Sequence, residues 1–240
     1  MISRFAFYFI FICIYQILNV QTINPTTENT NTLGKAAEYS ILAGVSITNS
    51  GTTNAVGNIG ISPGSTMTGS ITITEGVLHS ADADSLAAQN ALTTAYTTLA
   101  ATAGGVDKSG IPLDALTLTA GVYKYTSSCF LNGGVLTLDG GGNPNSRWIF
   151  QIGSTITVAV SSQILMTNSG SALNVYWQIG SSATVNASAT MVGNIVAFTS
   201  ISIGTGTTFT GRLLARNGSV TLLSNSVKPV VLNACQWALN

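Results

Sequence analysis

Two glycines eighteen positions apart, Gly193 and Gly211, fix the reading of this chain. With Gly193 placed over Gly211, Thr190-Met191-Val192 falls over Thr208-Phe209-Thr210. Asn194-Ile195-Val196-Ala197 falls over Arg212-Leu213-Leu214-Ala215, and Val185 over Ile203. A self-similar period near eighteen residues is too short for a helical repeat and suits one turn of a β-solenoid with three short strands per turn. Each line alternates apolar and small polar residues as strands do, so Phe209 and Met191 are expected inside and Thr190, Thr208 and Thr210 outside. A second echo sets Trp148-Ile149-Phe150-Gln151-Ile152-Gly153-Ser154 against Val175-Tyr176-Trp177-Gln178-Ile179-Gly180-Ser181, twenty-seven positions on. These strands, with 195–198 and 213–215, are apolar on both faces and should be covered on both sides.

Between residues 80 and 103 the period changes. Ala81, Ser85, Ala88, Leu92, Ala95, Leu99 and Ala103 recur at steps of three and four, which predicts one long amphipathic helix. Ser80 is the expected N-cap, Asp82 and Asp84 suit the positive end of the helix dipole, and Gly104-Gly105 ends it. The helix should lie lengthwise on the doubly apolar strands. The short motif Thr66-Met67-Thr68-Gly69 and, more loosely, Asn54-Ala55-Val56-Gly57 echo Thr208-Phe209-Thr210-Gly211. If these strands stack, threonine side chains form an outer column at a spacing of about 4.8 Å. Stacking also flattens the twist that would spoil such an array.

Composition then limits what that surface meets. Only 7% of the 240 residues are charged, against roughly a quarter in ordinary domains, and the net charge is zero. No basic patch exists to neutralise phosphates, which excludes nucleic acid as a partner. No acidic residue follows Asp139. Disorder is excluded by a mean hydropathy of +0.41. A flat, uncharged array of Thr and Ser is suited to ordering water.

Residues 1–21 read as a secretory signal, with Arg4 before an apolar run too short and too interrupted to span a bilayer. Residues 22–33 read as a polar linker, 34–227 as one domain, and 228–240 as a C-terminal segment capping the solenoid. Export leaves Cys129 and Cys235, which either pair or remain two buried thiols. Asn186 and Asn217 head glycosylation sequons. A glycan at Asn186 would crowd the threonine column, so that sequon is expected to be unused.

Catalytic constellations are thin. His79, the single histidine, reads as a residue of the helix start beside Asp82 and Asp84; a general base or metal ligand is the alternative. Asp107, Asp114 and Asp139 are scattered among turns, with no spacing that pairs two carboxylates for glycoside hydrolysis. Gly140-Gly141-Gly142 lacks the Lys-Ser/Thr pair of a phosphate cradle. Neither an enzyme, a metal, a cofactor nor a small-molecule substrate is expected.

The chain resembles the microbial ice-binding protein family. The likeness covers about residues 33–227. It is carried by Ala37-Glu38-Tyr39-Ser40-Ile41-Leu42-Ala43, Gly57-Asn58-Ile59-Gly60-Ile61-Ser62-Pro63-Gly64, His79-Ser80-Ala81-Asp82-Ala83, Leu118-Thr119-Ala120-Gly121-Val122-Tyr123, the first tryptophan echo, and residues 211–222, all in the same order. The resemblance implies a mostly β, discontinuous, three-faced (triangular) β-helix with one long helix packed alongside. In it the N-terminal strands stack beside the C-terminal ones. With the signal segment, the reading is a secreted monomer whose partner is the surface of an ice crystal. Thr205-Gly206-Thr207-Thr208 fits a motif found on the ice-binding face of some members. The expected face comprises Thr66, Thr68, Ser188, Thr190, Thr205, Thr207, Thr208, Thr210, Ser224 and Ser226. The rival readings are a secreted adhesin or glycan-binding solenoid, with Trp148, Tyr176 and Trp177 as aromatic platforms, and a self-associating surface-layer protein.

Overall fold

A computed structural model describes residues 32–229. The expected signal (1–21), Cys235 and most of the expected C-terminal cap lie outside the described residues. The chain winds a triangular β-helix whose strand pairings are all parallel, with one helix alongside.

The helix-side wall stacks Val106–Asp107, Gly121–Tyr125, Trp148–Ile152 and Val175–Ile179. It continues through the second halves of Thr190–Ala197 and Thr208–Ala215 to Tyr39–Ala43, Asn58–Ile61 and Leu78–Ser80. A second wall is a separate seven-stranded sheet in the order Cys129–Leu131, Ile156–Val158, Ala183–Val185, Ile201–Ile203, Val220–Leu223, Ser46–Ser50, Thr66–Thr68. The third wall includes Val135–Asp139, Gln163–Thr167, the first halves of the two long strands, Ser226–Lys228, Thr53–Val56 and Ile71–Thr74.

The register follows the repeats: Gly193 pairs with Gly211, Val185 with Ile203, and Gln151 with Gln178. The glycines turn the two long strands from the third wall onto the helix-side wall at φ +103° and +149°. A side chain at Gly211 would run into the backbone of Gly193. The stack is discontinuous. Tyr39–Ala43 pairs with Thr208–Ala215 on the helix-side wall, while Ser226–Lys228 takes that place on the third wall. Lys228 is therefore part of a strand rather than of a cap. Leu33, expected in the linker, is buried against the helix together with Ala36 and Ala37 of a short 3-10 turn, Gly34–Glu38.

Two cores result, as the doubly apolar strands require. Inside the triangle Phe150 stacks on Trp177 at 4.0 Å, among Trp148, Ile195, Leu213, Ile41 and Phe209. Outside the helix-side wall, Ile149, Tyr176, Val196, Leu214 and Leu42 meet Ala88, Leu92, Ala95 and Leu99 of the helix. Trp148 and Trp177 thus fill the solenoid and Tyr176 lies under the helix, so none of the three is an exposed platform.

The helix, α1, runs Ala83–Ala100, shorter at both ends than 80–103. Ser80 pairs in a strand with Ile61, and Asp82 is the N-cap, in a reciprocal capping box with Ser85. Eighteen residues span about 27 Å, or between five and six rungs. At the far end Gln151 Nε2 donates to the carbonyls of Leu99 (2.8 Å), Ala100 (3.2 Å) and, just past the helix, Thr102 (2.7 Å), tying the helix end to the wall.

Candidate functional site

The helix occupies one wall and leaves two open to solvent. The seven-stranded wall is the more regular. Strand alternation sends the middle residue of each rung outward, and the pairing aligns these residues in one column: Phe130, Thr157, Thr184, Ser202, Thr221, Thr48, Thr68. Seven rungs extend about 29 Å. Thr48, Thr68 and Ser202 are exposed; Thr157, Thr184 and Thr221 are half-buried. None of the six hydroxyls takes a partner among the described residues, so each presents a free donor and acceptor to solvent. No strand of this wall carries a charged residue.

Beside this column runs a second, two residues earlier on each rung: Ser128, Thr155, Ser182, Ser200, Ser219, Ser46, Thr66. Its hydroxyls are largely engaged between rungs. Ser128 and Thr155 lie 2.9 Å apart and Ser46 and Ser219 2.8 Å apart. The Ser182 and Ser200 hydroxyls accept from the backbone N–H of Ser200 and Ser219. This ladder holds the rungs at constant spacing, and the threonine column inherits the regularity.

The third wall also has an outward column: Val135, Gln163, Thr190, Thr208, Ser226, Asn54 and Thr72. It is mixed in kind. Exposed Leu165 lies beside it, as do Lys228, which pairs with Thr210, and Asp139, which pairs with Thr167.

The ten residues expected on one face are therefore divided. Thr66 and Thr68 belong to the seven-stranded wall; Thr190, Thr208, Thr210 and Ser226 belong to the third. Ser188, Thr205 and Ser224 sit at the corner between them, where Ser188 and Ser224 take φ of 57° and 51°. Thr207 is only 2% exposed, and its hydroxyl donates to the carbonyls of Asn186 and Gly204 inside that corner. The single column fails because Thr-X-Thr-Gly ends strands at two different corners. Gly69 turns the chain from the seven-stranded wall to the third, whereas Gly211 turns it from the third to the helix side. The true neighbour of Ser226, next in line after Thr208, is Asn54 of the looser echo.

Sequence reading missed Thr48, Thr157, Thr184, Ser202 and Thr221. The signal was present, since Thr157, Thr184 and Ser202 are separated by the same steps of twenty-seven and eighteen that relate the two repeats.

The ionisable residues hold structure together. His79 Nδ1 lies 2.8 Å from Asp82 and Nε2 3.5 Å from Asp84, while Asp84 also accepts from Tyr39 Oη (2.9 Å) and pairs with Lys35 (3.1 Å). The backbone N–H of Ser85, with the His79 ring beside it, holds the Asp82 carboxyl down at about 2. The Lys35 ammonium, then the Tyr39 hydroxyl, lowers that of Asp84. Asp114 accepts from the N–H of Asn132 and Gly134, Asp139 from that of Gly141, and Asp107 from that of Ser109. Each carboxylate is fastening a turn. Among the described residues no group of three His, Cys, Asp or Glu converges on a metal position. Cys129 faces the solenoid interior, where burial pushes its thiol up to about 12. At the Asn186 sequon, Nδ2 donates to the carbonyl of Val158 at 2.9 Å.

Known proteins share this arrangement. The family model described as ice-binding-like matches residues 41–228. An ice-binding protein of Nostoc sp. (strain HG1) is 44% identical over 205 residues, covering 85% of this chain and 74% of the relative. Among solved structures, the ice-binding protein of the Antarctic ascomycete Antarctomyces psychrotrophicus is 40% identical with a TM-score of 0.79, covering 84% of this chain and 98% of that one. An ice-binding protein from an Antarctic biological consortium is 38% identical with a TM-score of 0.80, covering 86% and 91%. By sequence over most of its length, and by the triangular solenoid with its lateral helix, this chain belongs to the ice-binding-like family.

Proposed function

We propose that this chain binds ice through its seven-stranded wall, with Thr68, Thr48, Thr221, Ser202, Thr184 and Thr157 as the contact column. The observation that carries the reading is this charge-free row of six hydroxyls, unpartnered among the described residues, in parallel register. Hydroxyls about 4.8 Å apart from rung to rung hold first-layer waters in a repeating pattern. The β-branched methyls limit the alternatives, and stiff χ1 angles make little entropy to lose. Each contact is weak; a rigid row of them engages together, which makes adsorption persistent. Adsorbed molecules force the ice front to curve between them, giving thermal hysteresis and inhibition of recrystallisation. The protein acts as a secreted monomer, without enzymatic activity.

The test compares the two open walls in purified mature protein. Thr221→Tyr places a ring in the middle of the contact column and is expected to cut thermal hysteresis to less than half, with an unchanged melting temperature. Thr208→Tyr alters the third wall and is expected to retain most activity. The opposite pattern moves the site to the third wall. A folded wild type that neither shapes ice crystals nor inhibits recrystallisation removes ice binding altogether.

A further inference from the structure

The second repeat, Gln-Ile-Gly-Ser at 151–154 and again at 178–181, has no part in the ice-facing column. It builds a cleft of about 490 Å³ at the flank of the helix C-terminus, lined by Tyr96, Lys124, Gln151, Gln178, Gly153 and Gly180 among others. Lys124 pairs with Gln151 and Gln151 with Gln178, so three polar side chains stand in a row on successive rungs before apolar Val196 closes the series.

Gln178 is the unusual member. It is 5% exposed, lines the cleft, and its side-chain amide takes no hydrogen-bond partner among the described residues. Neither atom of that amide is shut off from solvent, so what exposure the residue keeps opens its donors and acceptor into the cleft. Its counterpart Gln151 spends Nε2 on the helix end and keeps Oε1 as an acceptor. Tyr96 forms a wall, its ring held against Phe198 (5.6 Å) and under the Arg216 guanidinium (5.7 Å). Asp107 is the partner of Lys124 on the next rung, and no carboxylate lines the cleft.

We propose that this cleft binds a neutral saccharide of one or two rings. Amide donors and acceptors in a row meet successive hydroxyls, and the aromatic wall meets the apolar face of a sugar ring. An anion would find a single cation, Lys124, with Asp107 on the neighbouring rung. An apolar ligand would leave both amides unpaired. The site lies at the flank of the helix C-terminus, with Gly153 and Gly180 at the corner before the seven-stranded wall, and the inference does not depend on ice binding.

The experiment titrates full-length mature protein with glucose, trehalose and inorganic phosphate, following backbone amide shifts and heat. Saturable binding of at least one sugar in the millimolar range is expected, with shifts centred on Gly153, Gly180 and Tyr96. Gln178→Met, which keeps the side-chain volume, is expected to weaken it at least ten-fold while melting temperature and ice activity stay at wild-type values. Shifts that grow without saturation for both sugars, saturation by phosphate in their place, or a Gln178→Met variant with undiminished affinity would each overturn the proposal. Should Gln178→Met fail to fold, Tyr96→Ala supplies the same comparison.

Discussion

The most constrained single residue is Arg212. It is 2% exposed, and among the described residues its guanidinium makes no ion pair. Nε donates to the carbonyl of Ala37 (2.8 Å) and Nη1 to Asn194 Oδ1 (2.9 Å), while Asn194 Nδ2 donates to the carbonyls of Leu173 and Val175. Burial lowers its pKa to about 10. The guanidinium ties the N-terminal 3-10 turn to the stacked strands, which a discontinuous solenoid needs because no peptide bond joins them there. Arg212→Met removes the donor and strands two buried acceptors. It is expected to cost about 2–4 kcal/mol of stability, read by denaturant unfolding, with the contact column untouched. Asp82 gives a pH signature. Its folded pKa of about 2 lies below its ordinary 3.8, so the stabilisation it provides is fully present above about 4 and is lost as pH falls through 2. Melting temperature should drop across that window and drop less in Asp82→Asn, which caps without titrating. Asp84, Asp107 and Asp139, also lowered, supply the remaining fall. An identical slope in wild type and variant would show that Asp82 is not the linked group.

Among the elements, the corner-turning strands were the most legible in sequence and the assignment of strands to walls the least. Gly193 over Gly211 is a contact between adjacent rungs, and a period along the chain reports adjacent rungs directly. A period does not say which of the two open sides of the triangle a strand occupies, because both use the same alternation of apolar and small polar residues. That is why Thr66 and Thr208, alike in local sequence, stand on different walls. The helix showed the same division. Its existence and buried face were legible from Ala88, Leu92, Ala95 and Leu99, but its start was not. Ser80 and Asp82 are both good N-caps, and pairing of Ser80 with Ile61 decides between them. The corner itself is testable. Gly211 has φ +149° and no room for Cβ against the Gly193 backbone, so Gly211→Ala should destabilise by about 3 kcal/mol or more. A loss no larger than that of an exposed Gly→Ala change would mean that the corner relaxes freely.

For the whole molecule, the decisive feature is where charge is absent. The ionisable groups of the described chain stand at the helix start, at turns, on the helix-side wall (Asp107, Lys124, Arg212) and on the third wall, leaving the seven-stranded wall neutral from end to end. A neutral wall adsorbs by water geometry and shape, and those forces are not screened by salt. Coulombic attraction between exposed groups is screened beyond about 8 Å at physiological ionic strength. Thermal hysteresis, taken as the gap between melting and freezing in the same solution so that the colligative shift cancels, is therefore expected to survive an increase from low to physiological ionic strength without loss. Ser202→Lys places one charge in the centre of the column. It should lower activity at every salt concentration, because the ammonium holds its own hydration shell against the ordered layer. Activity in the wild type that collapses as salt is added would mean that charge carries the adsorption, and would point to the third wall, where Lys228 and Asp139 stand.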